Sequence, residues 1–142
     1  MMKIIWLEDD PKTIRSSINR IEDNLKIDVQ ICECFAEFSE QLYALEDAKD
    51  NIIVIDIRML FNIEDKFFCF DKEFNVKEEL DAGFEYFKEC IEKRFSKTKI
   101  VFFTSKPFEE AKSDAKNYDV DTNMIITKDD INRLLSFIKG EK

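Results

Sequence analysis

The sequence predicts an α/β fold in which a five-stranded parallel sheet is covered by helices on both faces. Short apolar runs without alternation recur along the chain, and between them the apolar residues switch to helical spacing. The runs are Ile4–Leu7, Ile52–Ile55, residues 100–103 and residues 124–126. They are rich in Ile, Val and Phe, as strands buried on both faces are. A fifth segment alternates from Val29 through Ile31 to Cys34 and predicts a half-covered edge strand.

The helices follow from the second observation. Ile14, Ile18, Ile21 and Leu25 lie on one helical stripe, as do Phe35, Phe38, Leu42 and Leu45. Val76, Leu80, Phe84, Phe87 and Ile91 make a third, and Ile131, Leu134, Leu135 and Ile138 a last one. Residues 108–117 carry only Phe108, Ala111 and Ala115 and predict the weakest helix. Asp10 and Pro11 suit the start of the first helix. Asn75 followed by Glu78 predicts a capping box for the third, and Gly140 a stop for the last. Strand and helix thus alternate five times, with no internal repeat and no linker. Right-handed crossovers then favour one flavodoxin-like, doubly wound, three-layer domain over residues 1–142, with strand order 2-1-3-4-5.

Composition removes several function classes. Histidine is absent from the 142 residues, so Ser-His-Asp and Cys-His catalysis, imidazole metal ligands and a phosphohistidine carrier are excluded. Gly83 and Gly140 are the two glycines, too few for a glycine-rich phosphate loop. The net charge of -9 argues against nucleic-acid binding. No apolar stretch approaches a membrane span, and the N-terminal run is too short for a signal peptide. A cytoplasmic protein is expected, with Cys32, Cys34, Cys69 and Cys90 as reduced thiols and with Cys32 and Cys34 on one face of a strand.

In this fold the carboxyl ends of the strands form the site. The first strand runs into Glu8 and Asp9, the third into Asp56, the fourth into Thr104 and Ser105, and the fifth into Thr127 and Lys128. Two carboxylates about 4 Å apart repel by about 4 kcal/mol at an effective dielectric near 20. Three on one rim need a counter-charge, and a hard divalent cation such as Mg2+ supplies it. Lys128 adds a second positive charge. A cation, an ammonium, a hydroxyl and a free carboxylate suit a phosphoryl group, with the carboxylate as nucleophile.

The blocks "KIIWLEDDP", "IIVIDIRM", "KIVFFTSKP" and "MIITKDD" resemble, in order, the signature blocks of the receiver domain of two-component response regulators. The resemblance covers the chain apart from a segment after the third strand. It implies that Asp56 is the phosphoacceptor. It also implies that Asp9 ligates Mg2+ directly, that Glu8 acts through water, and that Arg58 offers its backbone carbonyl. Thr104 would hydrogen-bond a phosphoryl oxygen, and Lys128 would pair with Asp56 at rest and with the phosphoryl group after transfer.

The chain departs from that pattern in several places. Residues 61–74 are extra and hold Phe61, Phe67, Phe68, Phe70 and Phe74. A flap packed on the domain's own surface is the simpler expectation. A partner or homodimer surface, or a shield over the acyl phosphate, is the alternative. Leu60 and Asp129 replace prolines typical of the family. Ile125 replaces the aromatic switch residue, leaving Thr104 as the element of the switch that could still move. Arg58 and Lys106 are expected to flank the route of attacking water and, as poor acceptors, to slow phosphate loss.

The expected protein is a stand-alone, Mg2+-dependent receiver rather than a turnover enzyme. It would be phosphorylated by a sensor histidine kinase, a phosphotransfer protein or a small acyl phosphate, and would signal by contact with a downstream protein. One rival is an interaction module of the same fold that is never phosphorylated. The other is an Mg2+-dependent phosphohydrolase using Asp56 as nucleophile. Haloacid-dehalogenase-like enzymes place a second Asp two residues after the nucleophile, where this chain has Arg58.

Overall fold

Ile4–Leu7 (β1), Ile52–Ile55 (β3), Lys99–Thr104 (β6) and Ile125–Thr127 (β7) join Val29–Cys32 (β2) in one parallel sheet, ordered β2-β1-β3-β6-β7. This is the predicted order, with the fourth and fifth predicted strands becoming β6 and β7. The computed structural model describes residues 2–60, 66–70 and 72–140.

Each central strand buries both faces, and the alternation divides the core. Ile4, Trp6, Ile52, Val54, Val101, Phe103 and Ile126 face α1 (Arg15–Leu25) and α5 (Ile131–Lys139). Ile5, Leu7, Ile53, Ile55, Phe102 and Ile125 face α2 (Phe35–Tyr43), α3 (Ala82–Tyr86) and α4 (Phe108–Asn117). Among the described residues no helix is long and apolar enough to cross a membrane.

Several boundaries differ from those predicted. Asp10 stands at the first N-terminus, but its side chain makes no cap there. Its carbonyl instead accepts from the Thr13 amide and hydroxyl, and Pro11–Ile14 forms a 3-10 turn before α1. Asp130 does cap α5, accepting from the Arg133 amide, and Gly140 ends that helix at φ +77°. Cys34 lies beyond β2, at the start of α2. Cys32 and Cys34 form no disulfide, as expected, whereas Cys90 is disulfide-bonded, which corrects the expectation of four reduced thiols.

The largest correction concerns the third helix. Val76 and Leu80 are not part of it. Leu80 is exposed, and α3 begins at Ala82 after a 3-10 turn over Glu79–Asp81. No Asn75–Glu78 box forms. Asn75 closes a strand, and Glu78 caps the 3-10 turn by accepting from the Leu80 amide. The helical spacing at 76 and 80 was coincidental with a hairpin exit. The helix continues past Tyr86 as a π-turn over Phe87–Ile91.

Within the inserted segment, Lys66–Cys69 (β4) and Lys72–Asn75 (β5) pair as an antiparallel hairpin. Phe61 and the side chains of Phe67 and Phe68 lie outside the described residues. Phe74 is buried against Phe35 and Tyr86, with ring centroids 6.2 and 5.8 Å away. At the hairpin turn Phe70 sits at φ 59°, unusual for a bulky residue. The Arg94 guanidinium holds it there, 3.8 Å above its ring, with Tyr43 alongside. Lys72 reaches Glu89 at 2.5 Å. The described part of the insertion is therefore a flap on the α2–α3 face of its own domain, the simpler of the two expectations.

Candidate functional site

Parallel pairing puts four strand ends on one rim. Leu7 is level with Ile55, and Thr104 with Thr127, so the residues that follow emerge together. Backbone bonds fix the exits: the Asp56 amide donates to the Leu7 carbonyl at 3.0 Å, and the Lys128 amide to the Thr104 carbonyl at 2.8 Å.

Carboxylate oxygens of Glu8, Asp9 and Asp56 lie within 4.8 Å of one another, and all three residues are buried. They open into a cleft of about 120 Å3, also lined by Thr13, Arg58, Ser105 and Lys128. Glu8 turns one oxygen to the Asp10 amide at 3.1 Å and the other to the Lys128 ammonium at 2.5 Å. Lys128 stands 3.8 Å from Asp56, so its closer partner is Glu8. Asp9 accepts from the Leu60 amide at 2.7 Å.

Burial pushes the Asp56 carboxyl well above the usual carboxylate range; the Glu8 charge adds to this and Lys128 opposes it. Burial also raises Glu8, against the pull of Asp56 and Lys128. Asp56 Oδ1 is buried with no hydrogen-bond partner. A buried carboxylate oxygen without a donor, beside two more carboxylates, is the donor set a hard cation takes. Glu8, Asp9 and Asp56 could hold one.

Thr104 is fully buried, and its hydroxyl accepts from the Lys106 amide at 3.0 Å. It does not line the acidic cleft. It lines an adjoining cavity of about 400 Å3 that shares Ser105 and Lys128 with that cleft. Ile125 is wholly buried in the α2–α4 core. Arg58 lines the cleft and reaches Glu110 at 3.4 Å. Lys106 does not flank the cleft, contrary to expectation. Its side chain is 2% exposed and turns inward to Asp81, at 2.8 Å, and to Asp114. Two carboxylates within reach outweigh the cost of burying one ammonium and draw the chain in. Burial alone would lower its pKa; the pair holds it above the ordinary lysine value.

Sequence reasoning missed Gly83. A Cβ there would stand 2.2 Å from the Asp56 carbonyl oxygen and 2.9 Å from Ile57 Cα. Its amide donates to the Ile57 carbonyl at 2.9 Å, so α3 rests directly on the backbone that carries Asp56. The available signal was a glycine amid an apolar helical stripe, which usually has a packing reason.

No protein-family model matches the sequence, and no curated protein does. Solved structures do match its fold. The receiver domain of a Francisella response regulator superposes with a TM-score of 0.61 at 16% identity, covering 96% of this chain and 93% of that one. A response regulator receiver protein from Pseudoalteromonas atlantica gives 0.55 at 17%, with 96% and 93% covered. The isolated receiver domain of RcsB from Salmonella enterica, solved with the phosphomimetic BeF3-, gives 0.60 at 17%, with 99% and 91% covered. The fold is that of a response regulator receiver domain. The acidic cleft occupies the carboxyl rim of this receiver fold, beside the switch point between β1 and β3.

The receiver fold also carries a polar group far from that rim. Tyr118 follows α4, and its hydroxyl donates to Asp81 at 3.4 Å. Burial, then the charges of Asp81 and Glu85, push its phenol up to about 12. An unfolded tyrosine ionises near 10. The fold therefore prefers the neutral phenol, and that preference is lost as pH rises from about 10 through 12. Denaturant midpoints should fall over this range in the wild type and fall less in Tyr118→Phe. Equal pH dependence of the two proteins would contradict this.

Proposed function

We propose that the protein is a receiver that accepts a phosphoryl group on Asp56, with Mg2+ held by Glu8, Asp9 and Asp56, and signals by contact with another protein. The observation that carries this reading is the unpartnered, buried Asp56 Oδ1 within the carboxylate cluster. The receiver-domain neighbours support the same reading at the level of fold, and point to kinases or phosphotransfer proteins as partners in general.

An Asp56 oxygen attacks the donor's phosphorus. A new O–P bond forms as the donor's N–P or acyl O–P bond breaks, and the electron pair leaves with the imidazole or carboxylate of the donor. Bound Mg2+ would supply charge neutralisation to the phosphoryl oxygens. Lys128, already between Glu8 and Asp56, is placed to pair with the same oxygens. Glu8 and Asp9 hold the rim acidic, and the Leu60 amide orients Asp9. Positioning and electrostatics do most of the work in such transfers. The donor is a sensor histidine kinase, a phosphotransfer protein or a small acyl phosphate in the cytoplasm. Asp56 is an acceptor rather than the nucleophile of a turnover enzyme.

Intact mass after incubation with Mg2+ and acetyl phosphate tests this. One labile phosphoryl adduct is expected, lost in Asp56→Asn and with chelator. Absence of an adduct, together with no binding of Mg2+ or beryllofluoride, would instead favour an interaction module of the same fold. Steady release of phosphate from an aryl phosphate would favour a phosphohydrolase.

A further inference from the structure

Lys106 is the residue whose burial the cleft does not explain. Its ammonium is enclosed, 2.8 Å from Asp81 Oδ1 and bonded also to Asp114, and its side chain is 2% exposed. An apolar side chain of similar volume often fills such a place at no loss of stability. The charge therefore asks for another role, and its connections suggest one.

On one side, the Lys106 amide donates to Thr104 Oγ1 at 3.0 Å. That bond occupies a lone pair of the hydroxyl and leaves its own proton to be donated elsewhere. Thr104 lines the cavity that shares Lys128 and Ser105 with the acidic cleft. On the other side, Asp81 accepts from the Tyr118 hydroxyl at 3.4 Å. Tyr118 lines a separate cavity of about 320 Å3, walled by β5 and α3 residues such as Phe74, Asn75 and Glu85. Asp81 also stands two residues before Gly83, which rests on the Asp56 backbone. A polar line, buried at Thr104 and Lys106 and part-buried at Asp81 and Tyr118, thus joins the phosphoacceptor rim to the cavity beneath the inserted hairpin.

We propose that Lys106 is a positioning residue for Thr104, and that its clamp to Asp81 and Asp114 couples the Thr104 hydroxyl to Tyr118 at the hairpin cavity. The coupling stands on the resting geometry. Only its use, to report a phosphoryl group held by Thr104, rests on the reading of Asp56 as phosphoacceptor. With Ile125 in place of an aromatic switch residue, this line gives Thr104 a route outward.

Nuclear magnetic resonance on protein with labelled tyrosine rings tests it, with the Tyr118 signal assigned through Tyr118→Phe. Without any phosphoryl donor, Thr104→Val should shift the Tyr118 resonance. It should also speed exchange of the Lys106 amide about five- to tenfold, as the loss of one hydrogen bond implies. In Lys106→Met, or in Asp81→Ala should the former not fold, Thr104→Val should no longer move Tyr118. A Tyr118 signal indifferent to Thr104→Val, or still responsive once Lys106 or Asp81 is replaced, would overturn the coupling. Beryllofluoride with Mg2+ separates the two readings. If it binds and Tyr118 stays unmoved, the use of the coupling to report a phosphoryl group fails. If it does not bind while Thr104→Val still moves Tyr118, the phosphoacceptor reading fails and the coupling stands.

Discussion

Gly83→Ala is expected to destabilise the protein by about 1–3 kcal/mol or more and to weaken the site at the same time. Alanine is the better helix former by about 1 kcal/mol, so propensity alone predicts the opposite sign. Geometry decides. The added methyl would meet the Asp56 carbonyl oxygen at 2.2 Å, Ile57 Cα at 2.9 Å and the Asp56 carbonyl carbon at 3.0 Å. All three are backbone atoms, so no side-chain rotation relieves the contact. Either α3 withdraws or the strand exit carrying Asp56 moves. Denaturant unfolding and Mg2+ titration of the same variant check both parts. Gly140→Ala is the control, because a Cβ there meets only the Lys99 ammonium at 3.2 Å and suffers mainly from φ +77°. A Gly83→Ala protein as stable as the wild type, with unchanged Mg2+ affinity, would contradict this account.

Lys128→Met should cost about 3–5 kcal/mol in the absence of divalent cation, the usual penalty for removing one partner of a buried pair. Glu8 is 1% exposed and loses its 2.5 Å ammonium, and Asp56 loses its counter-charge at 3.8 Å. Glu8 and Asp56 then face each other without that ammonium. The pH dependence has a definite sign. Glu8 and Asp56 are both held above their ordinary values of 4.5 and 3.8. The stability linked to their protonated forms is therefore present in acid, below those values. It is lost as pH rises through the raised ones. The defect of Lys128→Met should accordingly be small in acid and full at neutral pH. Asp56→Asn, which removes one charge from the cluster, should raise the metal-free melting temperature. Saturating Mg2+ should restore part of what Lys128→Met loses. A Lys128→Met protein with the same deficit in acid as at neutral pH would show that the loss is packing rather than charge.

The rim was legible because it is written at strand ends. A buried parallel strand must be apolar to its last residue, so Glu8, Asp56 and Lys128 stand out at once, and Thr104 nearly so. The register that aligns them follows from the strand order. What the sequence hid depends on contacts between distant segments. Lys106 reads as a basic residue flanking the site until Asp81 and Asp114 are seen around it. Gly83 reads as a weak point in a helix until the Asp56 backbone is found against it. The hairpin was obscured by Val76 and Leu80, whose spacing continues the α3 stripe although neither belongs to it. Its Phe70 needs Arg94 from beyond α3 to hold it, a pairing no local pattern announces. Asp10 sits where a cap is expected, yet Thr13 takes its carbonyl and the side chain is not used.

The contact between Lys128 and Glu8 joins residues 120 apart in the chain, almost its whole length. Parallel sheets built from such distant partners fold slowly, because the chain must be ordered over long loops before the pairing contributes. A growing polypeptide on the ribosome carries Glu8, Asp9 and Asp56 long before Lys128 has been made. Until β7 docks beside β6, Glu8 and Asp56 lack the Lys128 ammonium. The site is therefore a product of the last stage of assembly, and premature termination before Lys128 leaves the rim without its ammonium. In refolding, the arrival of Lys128 at Glu8 marks completion of the acidic rim.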